Sequence, residues 1–137
     1  MFRILRLIKI VNGAGLAMNT VDAIAGIAGE QMCANFLDTG GKATSETIKQ
    51  SFKIILDDPR VKTIFVNIFG GLTLCDMIAK GIMLAYQDLN IAVPVVIRLR
   101  GTNEKIGQQM VFYGTCLSRI LAHGQIDCGQ WSSFACV

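Results

Sequence analysis

The chain is poor in the side chains that most acid–base and metal chemistry requires. Its 137 residues hold a single histidine, His123, with no evident base or metal partner nearby. No carboxylate pair, Ser–His–Asp set or metal-ligand spacing is visible. That excludes a self-sufficient hydrolase or metal enzyme, and neither a catalytic residue nor a metal ligand is assigned. Five cysteines, Cys33, Cys75, Cys116, Cys128 and Cys136, form no CxxC and no paired spacing. An odd, irregular set argues for free thiols in a reducing compartment. Aromatics are 7% of the chain and basic residues are scattered around a net charge of +3, so no nucleic-acid face is indicated. No apolar run approaches the roughly 20 residues that span a bilayer, so no membrane role is read.

What the chain does have is apolar bulk. Hydrophobic residues make up 52% and charged residues 17%, enough to bury a core in one domain. A mean hydropathy of +0.48 is read as buried parallel strands. The central stretch runs from Val61 to Asp76. It begins as a β-branched apolar run to Phe69, breaks at Gly70-Gly71, and resumes at helical spacing through Leu74, Ile78, Ile82, Ala85 and Leu89. Strand, glycine turn and helix make half of a βαβ unit. Such a turn leaves backbone N–H groups unpaired at the helix start, at the strand end where open α/β sheets bind ligands. The helix dipole favours an anion there. The same turn also serves as plain connection chemistry.

Similar units recur along the chain. A first strand, Ile4 to Val11, runs into Asn12-Gly13-Ala14-Gly15 and a helical pattern through Val21 and Ile24. Phe2 to Ile10 could pass for a short targeting peptide, but it lacks serine-rich length and a cleavage-like site, and the strand is favoured. Asn12 fits a capping residue and a ligand contact equally well. No third glycine completes a dinucleotide fingerprint. The helix closes over Gly26 to Gln31, and Ala34 to Asp38 reads as a short second strand. After Thr39-Gly40-Gly41-Lys42, Thr44 or Ser45 caps a helix carrying Ile48, Phe52, Ile55 and Leu56 and ending before Pro59. A last strand spans Ala92 to Leu99, with Pro94 near its start, and Asn103 is read as the cap of a helix with Ile106, Met110 and Val111. Leu117 to Ala122 fits a fifth strand or a helix, and Gln125 to Val137 reads as poorly ordered. Cys75, in a helix first turn, fits a small buried filler or a thiol of lowered pKa.

Four strands alternating with four helices predict an α/β fold: an open parallel sheet, helices on both faces, three layers. Its glycine turns line one edge as a rim of N–H groups, with Asn12, Thr73 and Asn103 nearby. Such a rim suits a phosphate or carboxylate but needs a partner to bring the nucleophile.

Several motifs together closely resemble the C-terminal ligase domain of the succinyl-CoA synthetase (succinate–CoA ligase) β subunit. They are Val11 to Met18, Ala34 to Gly41, Val66 to Gly71, Cys75 to Ala79, Val95 to Leu99, and Gly101 to Asn103, in the right order between about Val11 and Met110. The resemblance implies a flavodoxin-like domain over 1–112, with 113–137 a divergent end. It implies interconversion of succinyl-CoA, phosphate and NDP with succinate, CoA and NTP in the citric acid cycle. The implied partner is an α subunit that carries the phosphohistidine and binds coenzyme A, with succinate and phosphate as small molecules. By position, Asn12, Gly71, Leu72 and Thr73 match substrate-contacting residues, and Gly70 and Gly71 face the phosphohistidine at the "power helix". Mg²⁺, ATP or GTP, and CoA are implied for the complete enzyme, none held by this chain. The compartment implied is the mitochondrial matrix, or the cytoplasm in a bacterium.

Departures from the family accompany the match. The family's large N-terminal ATP-grasp domain has no counterpart here, so the chain resembles a fragment expected to be inactive alone. Leu74 stands where many members have arginine, Lys42 replaces a third glycine, and Arg100 replaces a residue that is often acidic or amide. A short insertion lies around Gly26 to Cys33, and the end from about Val111 does not resemble the family's last strand and helix, which would leave apolar sheet exposed. Two other readings compete with a ligase piece. One is a non-catalytic α-subunit-binding module. The other is an unrelated receiver or flavin domain, weakened by Asn12-Gly13 in place of an acidic pair and by rim turns without aromatics.

Overall fold

The computed structural model describes residues 6–29, 33 and 35–123. In chain order the elements are β1 (Arg6–Val11), α1 (Ala14–Ala28), α2 (Ser45–Leu56), β2 (Val61–Gly70), α3 (Cys75–Asp88), β3 (Val95–Gly101) and α4 (Glu104–His123). The strands form one parallel sheet in the order β1-β2-β3. Among the described residues three strands, not four, carry the ladder.

Alternation along the strands sets the two faces. Ile8 and Ile10 of β1, Ile64, Val66 and Ile68 of β2, and Val95 and Leu99 of β3 pack with Ile48, Phe52 and Ile55 of α2 and Ile78, Ile82 and Ala85 of α3. Met110 and Val111 of α4 join the edge of that cluster. Each fully buried isoleucine or phenylalanine contributes roughly 1.5–3 kcal/mol, so this face carries most of the stability. The opposite face meets α1. There Lys9, 0% exposed, donates from Nζ to the Ala17 carbonyl at 3.0 Å, and its ammonium stands 5.2 Å from the centre of the Phe36 ring. Asn67 on the same face donates to the Thr20 hydroxyl (2.9 Å) and accepts from Arg98 (2.8 Å). Helices therefore cover both faces.

The expected second strand is only strand-like. Cys33 and Asp38 make isolated parallel bridges to Leu7 and Val11. Between them the Asn35 side chain replaces the backbone rung: its Oδ1 accepts from Lys9 N–H (2.9 Å) and its Nδ2 donates to the Lys9 carbonyl (3.1 Å). An amide side chain has the same donor and acceptor as a peptide group, so the ladder is completed without regular strand geometry. This segment lies beside β1 on the side away from β2.

Other boundaries follow local chemistry. Thr44 is the N-cap of α2, its hydroxyl accepting from Thr47 N–H at 3.2 Å. β3 begins at Val95, three residues later than expected, immediately after the proline that has no N–H to give; the Pro94 carbonyl still accepts from Ile64. Leu117 to Ala122 belongs to α4, so the helical alternative holds there. α1 ends at Ala28, ahead of Gly29 at φ 95°. Ile4 and Leu5 of the expected first strand, part of the 26–33 insertion, and Gln125 to Val137, with Cys128 and Cys136 among them, lie outside the described residues.

Candidate anion site at the sheet edge

The glycine-bearing turns that follow β1, β2, β3 and the Asp38 bridge lie at the C-terminal ends of the parallel strands, and side chains lace them into one rim. The first connection runs from β1 outward to the segment around Asn35, and the next returns across to β2. The strand order therefore reverses between β1 and β2, the position where open α/β sheets bind ligands. Asn12 sits at that junction. Its Nδ2 donates to the Phe69 carbonyl and its Oδ1 accepts from Phe69 N–H, both at 2.9 Å. The amide thus extends the β1–β2 ladder by one rung and ties Asn12 to the Gly70-Gly71 turn.

The remaining rim contacts are equally specific. The Asp38 carboxylate accepts from the N–H groups of both Gly13 and Gly40. The Thr73 hydroxyl, 2% exposed, donates to the Gly41 carbonyl at 2.8 Å, so it fastens two turns together and presents no free donor outward. Thr102 donates to the Gly71 carbonyl at 3.1 Å. The structure therefore brings Asn12, Gly70, Gly71, Leu72 and Thr73 to one edge. Gly71 and Leu72 are exposed, Leu72 at 83%, whereas Gly70 and Thr73 are buried beneath them.

Gly70 and Gly101 are paired across β2 and β3 and approach too closely for side chains. A Cβ on Gly101, at φ 105°, would stand 2.0 Å from the Gly70 carbonyl oxygen, and one on Gly70 would stand 2.6 Å from the Thr73 carbonyl oxygen. Glycine is required at both. Gly107 of α4 is held against Cys75 in the same way. This pinch sets the N-terminus of α3 into the corner between the β3 turn and α4.

First-turn N–H groups are left without an acceptor at each helix start on the rim among the described residues; what differs is the turn in front of each helix. At α1 the Asp38 carboxylate already takes the Gly13 N–H, and at α4 the Glu104 carboxylate takes the Gly101 N–H at 2.9 Å. At α3 the Cys75 N–H goes to the Thr102 carbonyl, while the N-cap, Leu74, offers no side-chain bond. The Asp76 and Met77 N–H groups find no acceptor among the described residues. Asp76 turns its carboxylate instead to the Asn103 side chain, 3.0 Å away. Asn103, at φ 61°, stands at the expected position immediately ahead of α4, its carbonyl accepting from Gly107 N–H at 2.9 Å, but its side-chain amide is given to the start of α3.

Cys75 is fully buried, its thiol 3.4 Å from the Arg100 carbonyl. Burial, then the negative charges of Glu104 and Asp76, push its pKa up. The lowered-pKa alternative is thereby overturned, and Cys75 is a filler. No group of three His, Cys, Asp or Glu side chains fit to hold a metal ion converges among the described residues. His123 lies at the last position of α4. Asp38 is the rim residue that sequence reasoning misses as a site component. Its signal is an acidic residue leaving an apolar run ahead of Thr39-Gly40-Gly41, the setting of an Asx turn.

Comparison with known proteins agrees with this architecture. Residues 10–116 match the model of the CoA-ligase family. The β subunit of ADP-forming succinate–CoA ligase from Haemophilus influenzae (strain PittEE) is 54% identical over 101 residues, 74% of this chain and 25% of that protein. The corresponding subunit of Methylobacillus flagellatus is 52% identical over 120 residues, 88% of this chain and 30% of that protein. The chain thus spans between a quarter and a third of the length of these curated relatives. The solved ATP citrate lyase of Methanosaeta concilii, in complex with (3S)-citryl-CoA, superposes with a TM-score of 0.69 over 85% of this chain and 32% of that one; at 20% identity it speaks for the fold alone. On the family match and these identities, the chain belongs to the CoA-ligase family.

Proposed function

We propose that this chain works as the ligase-domain part of a succinate–CoA ligase β subunit, presenting the start of α3 to a phosphoryl group carried by an α subunit. The 54% identity to a succinate–CoA ligase β subunit carries the reading. The geometry supports it: the Asp76 and Met77 N–H groups stand free behind the open Gly71-Leu72 turn, where a phosphohistidine of the α subunit would approach. Amides fixed by the surrounding fold stabilise developing charge without reorganising, and the helix dipole adds to them. Asn12 and the Gly70-to-Thr73 turn shape the succinate side of the site, Asn12 with the one amide N–H that Phe69 leaves over. Mg²⁺ and nucleotide chemistry falls to other parts of the assembled enzyme. The relatives are ADP-forming, which favours ADP over GDP there. The chain by itself turns nothing over.

A binding module without catalysis is the second reading. Leu74 favours it, because an apolar N-cap brings neither a hydrogen bond nor a charge to the phosphoryl group.

One experiment tests both. The chain is mixed with a phosphorylated succinate–CoA ligase α subunit and the complex is followed by sedimentation. We expect association, weakened about tenfold by Gly71→Val through loss of close backbone approach. A Cβ at Gly71 meets nothing within 4 Å, and unchanged circular dichroism of the variant checks that its fold is kept. An α subunit that sediments alone overturns the reading. Adding a separately produced ATP-grasp domain then divides the two: succinyl-CoA formation supports the ligase, and a silent complex supports the module.

A further inference from the structure

We propose that the outer edge of β3 is an interface to which a second copy of this chain adds antiparallel, with a two-fold axis at Val96.

β3 is the last strand of the sheet, and its two sides differ. The Ile64 N–H donates to the Pro94 carbonyl and the Thr102 N–H to the Gly70 carbonyl, so residues 94, 96, 98, 100 and 102 turn their peptide groups towards β2. Val95, Ile97, Leu99 and Gly101 turn theirs outward. The Gly101 N–H is taken by the Glu104 carboxylate, and the Leu99 carbonyl by the Gln108 amide at 2.7 Å. The N–H and C=O groups of Val95 and Ile97 meet no partner among the described residues. The β1 edge is treated differently: the bridges of Cys33 and Asp38 and the side chain of Asn35 close it. Unpaired peptide groups along an apolar strand are a template for another strand.

The free stretch selects its occupant. A parallel segment would pair along the whole edge and need the Leu99 carbonyl, which Gln108 already holds. An antiparallel copy centred on Val96 needs only Val95 and Ile97. Val95 of one copy then faces Ile97 of the other, and the two exchange N–H···O bonds in both directions. Val96, 42% exposed, meets its own counterpart on the axis as a non-hydrogen-bonded pair, the closer of the two types. Arg98 falls opposite Pro94 and Arg100 opposite Ala92, so no like charges oppose one another. Pro94 loses nothing by lacking an N–H, because its peptide faces β2. The contact is isologous and closes at two copies, since the outer edge at each end is a covered β1.

Sedimentation equilibrium of the full chain reads the association. So short an edge stands at the weak end of interfaces, and a dimer Kd of about 10–100 µM is expected. Val96→Lys sets two ammonium groups on the axis and should raise that Kd at least about tenfold. Ile54→Lys, on the exposed side of α2, should match wild type, with circular dichroism checking both folds. In Val96→Cys, oxidation should join the two introduced thiols across the axis, read by peptide mass spectrometry. A chain that stays monomeric overturns the proposal, including one whose Val95 and Ile97 amides exchange slowly at every concentration because its own residues cover the edge. A dimer that Val96→Lys leaves unchanged, or that Ile54→Lys weakens equally, overturns the placement at β3.

Discussion

Across the β2–β3 half of the rim, backbone meets backbone, whereas across the β1 half side chains bridge the gaps. Gly70 and Gly101 touch with no room for a methyl group, Gly107 presses α4 onto Cys75, and Gly81 brings α3 onto the Ser45 backbone. On the other side, Asn35 supplies a rung to Lys9, Asp38 clips two turns together, and Asn12 reaches to Phe69. Close-packed backbone has few ways to yield, so the first half stands or falls with the whole domain. Single hydrogen bonds open one at a time, so the second half can loosen locally while the core persists. The free amides of α3 belong to the rigid half. Asp38 belongs to the adjustable one. A ligand between them would be met by one fixed wall and one that can adapt.

The contrast is broken most severely at Gly101. Gly101→Ala forces a side chain into φ 105° and onto the Gly70 carbonyl. We expect a loss of more than about 3 kcal/mol, read from denaturant unfolding. A loss under about 1 kcal/mol would mean that this half is not rigid. On the stitched half, Asn35→Ala removes two part-buried hydrogen bonds at Lys9 and should cost about 1–2 kcal/mol. Hydrogen exchange should quicken around Lys9 and residues 35–39 and stay slow in β2 and β3; uniform loss of protection would erase the distinction. The smallest effect is chemical and leaves the fold intact. Cys33 is half-buried on the stitched side and Cys75 fully buried on the other, with its pKa raised. A raised pKa leaves less thiolate at any given pH. Site-resolved alkylation should therefore label Cys33 first and reach Cys75 only above the usual thiol range or on unfolding. Equal rates at neutral pH would contradict the burial described.

Much of the rigid half is legible in sequence. Ile64, Val66 and Ile68 announce a buried strand by composition, Ile78 and Ile82 announce a helix by spacing, and Gly70-Gly71 marks the break between them. Thr44 is readable as a cap. The stitched half is harder, because its logic is non-local. Asn35 completes a ladder 26 residues away, a pairing that no window of sequence displays. It also explains why Ala34 to Asp38 reads as a strand yet forms only bridges: the side chain does what the backbone is expected to do. Asn103 is legible only in part, for a related reason. Its preference for caps and left-handed turns is evident, but its partner, Asp76, lies on another helix. The position of Cys75 in a helix first turn suggests a lowered pKa, and only the packing around it reverses the sign.

The Asn12-Gly13 pair has a further consequence for how the molecule ages. Asparagine followed by glycine is the sequence most prone to spontaneous deamidation, in which the following backbone nitrogen attacks the side-chain carbonyl to close a five-membered ring. Here the Asn12 side chain is pinned by two bonds to Phe69, so that neither it nor the Gly13 nitrogen is free to swing into the ring-closing geometry. The Asn12 side-chain carbonyl oxygen accepts from Phe69, and the Gly13 N–H is given to Asp38. The same bonds that shape the rim therefore shield it from chemical decay. A chain that loses its fold would carry, at the mouth of its own site, the bond most ready to turn an amide into a charge.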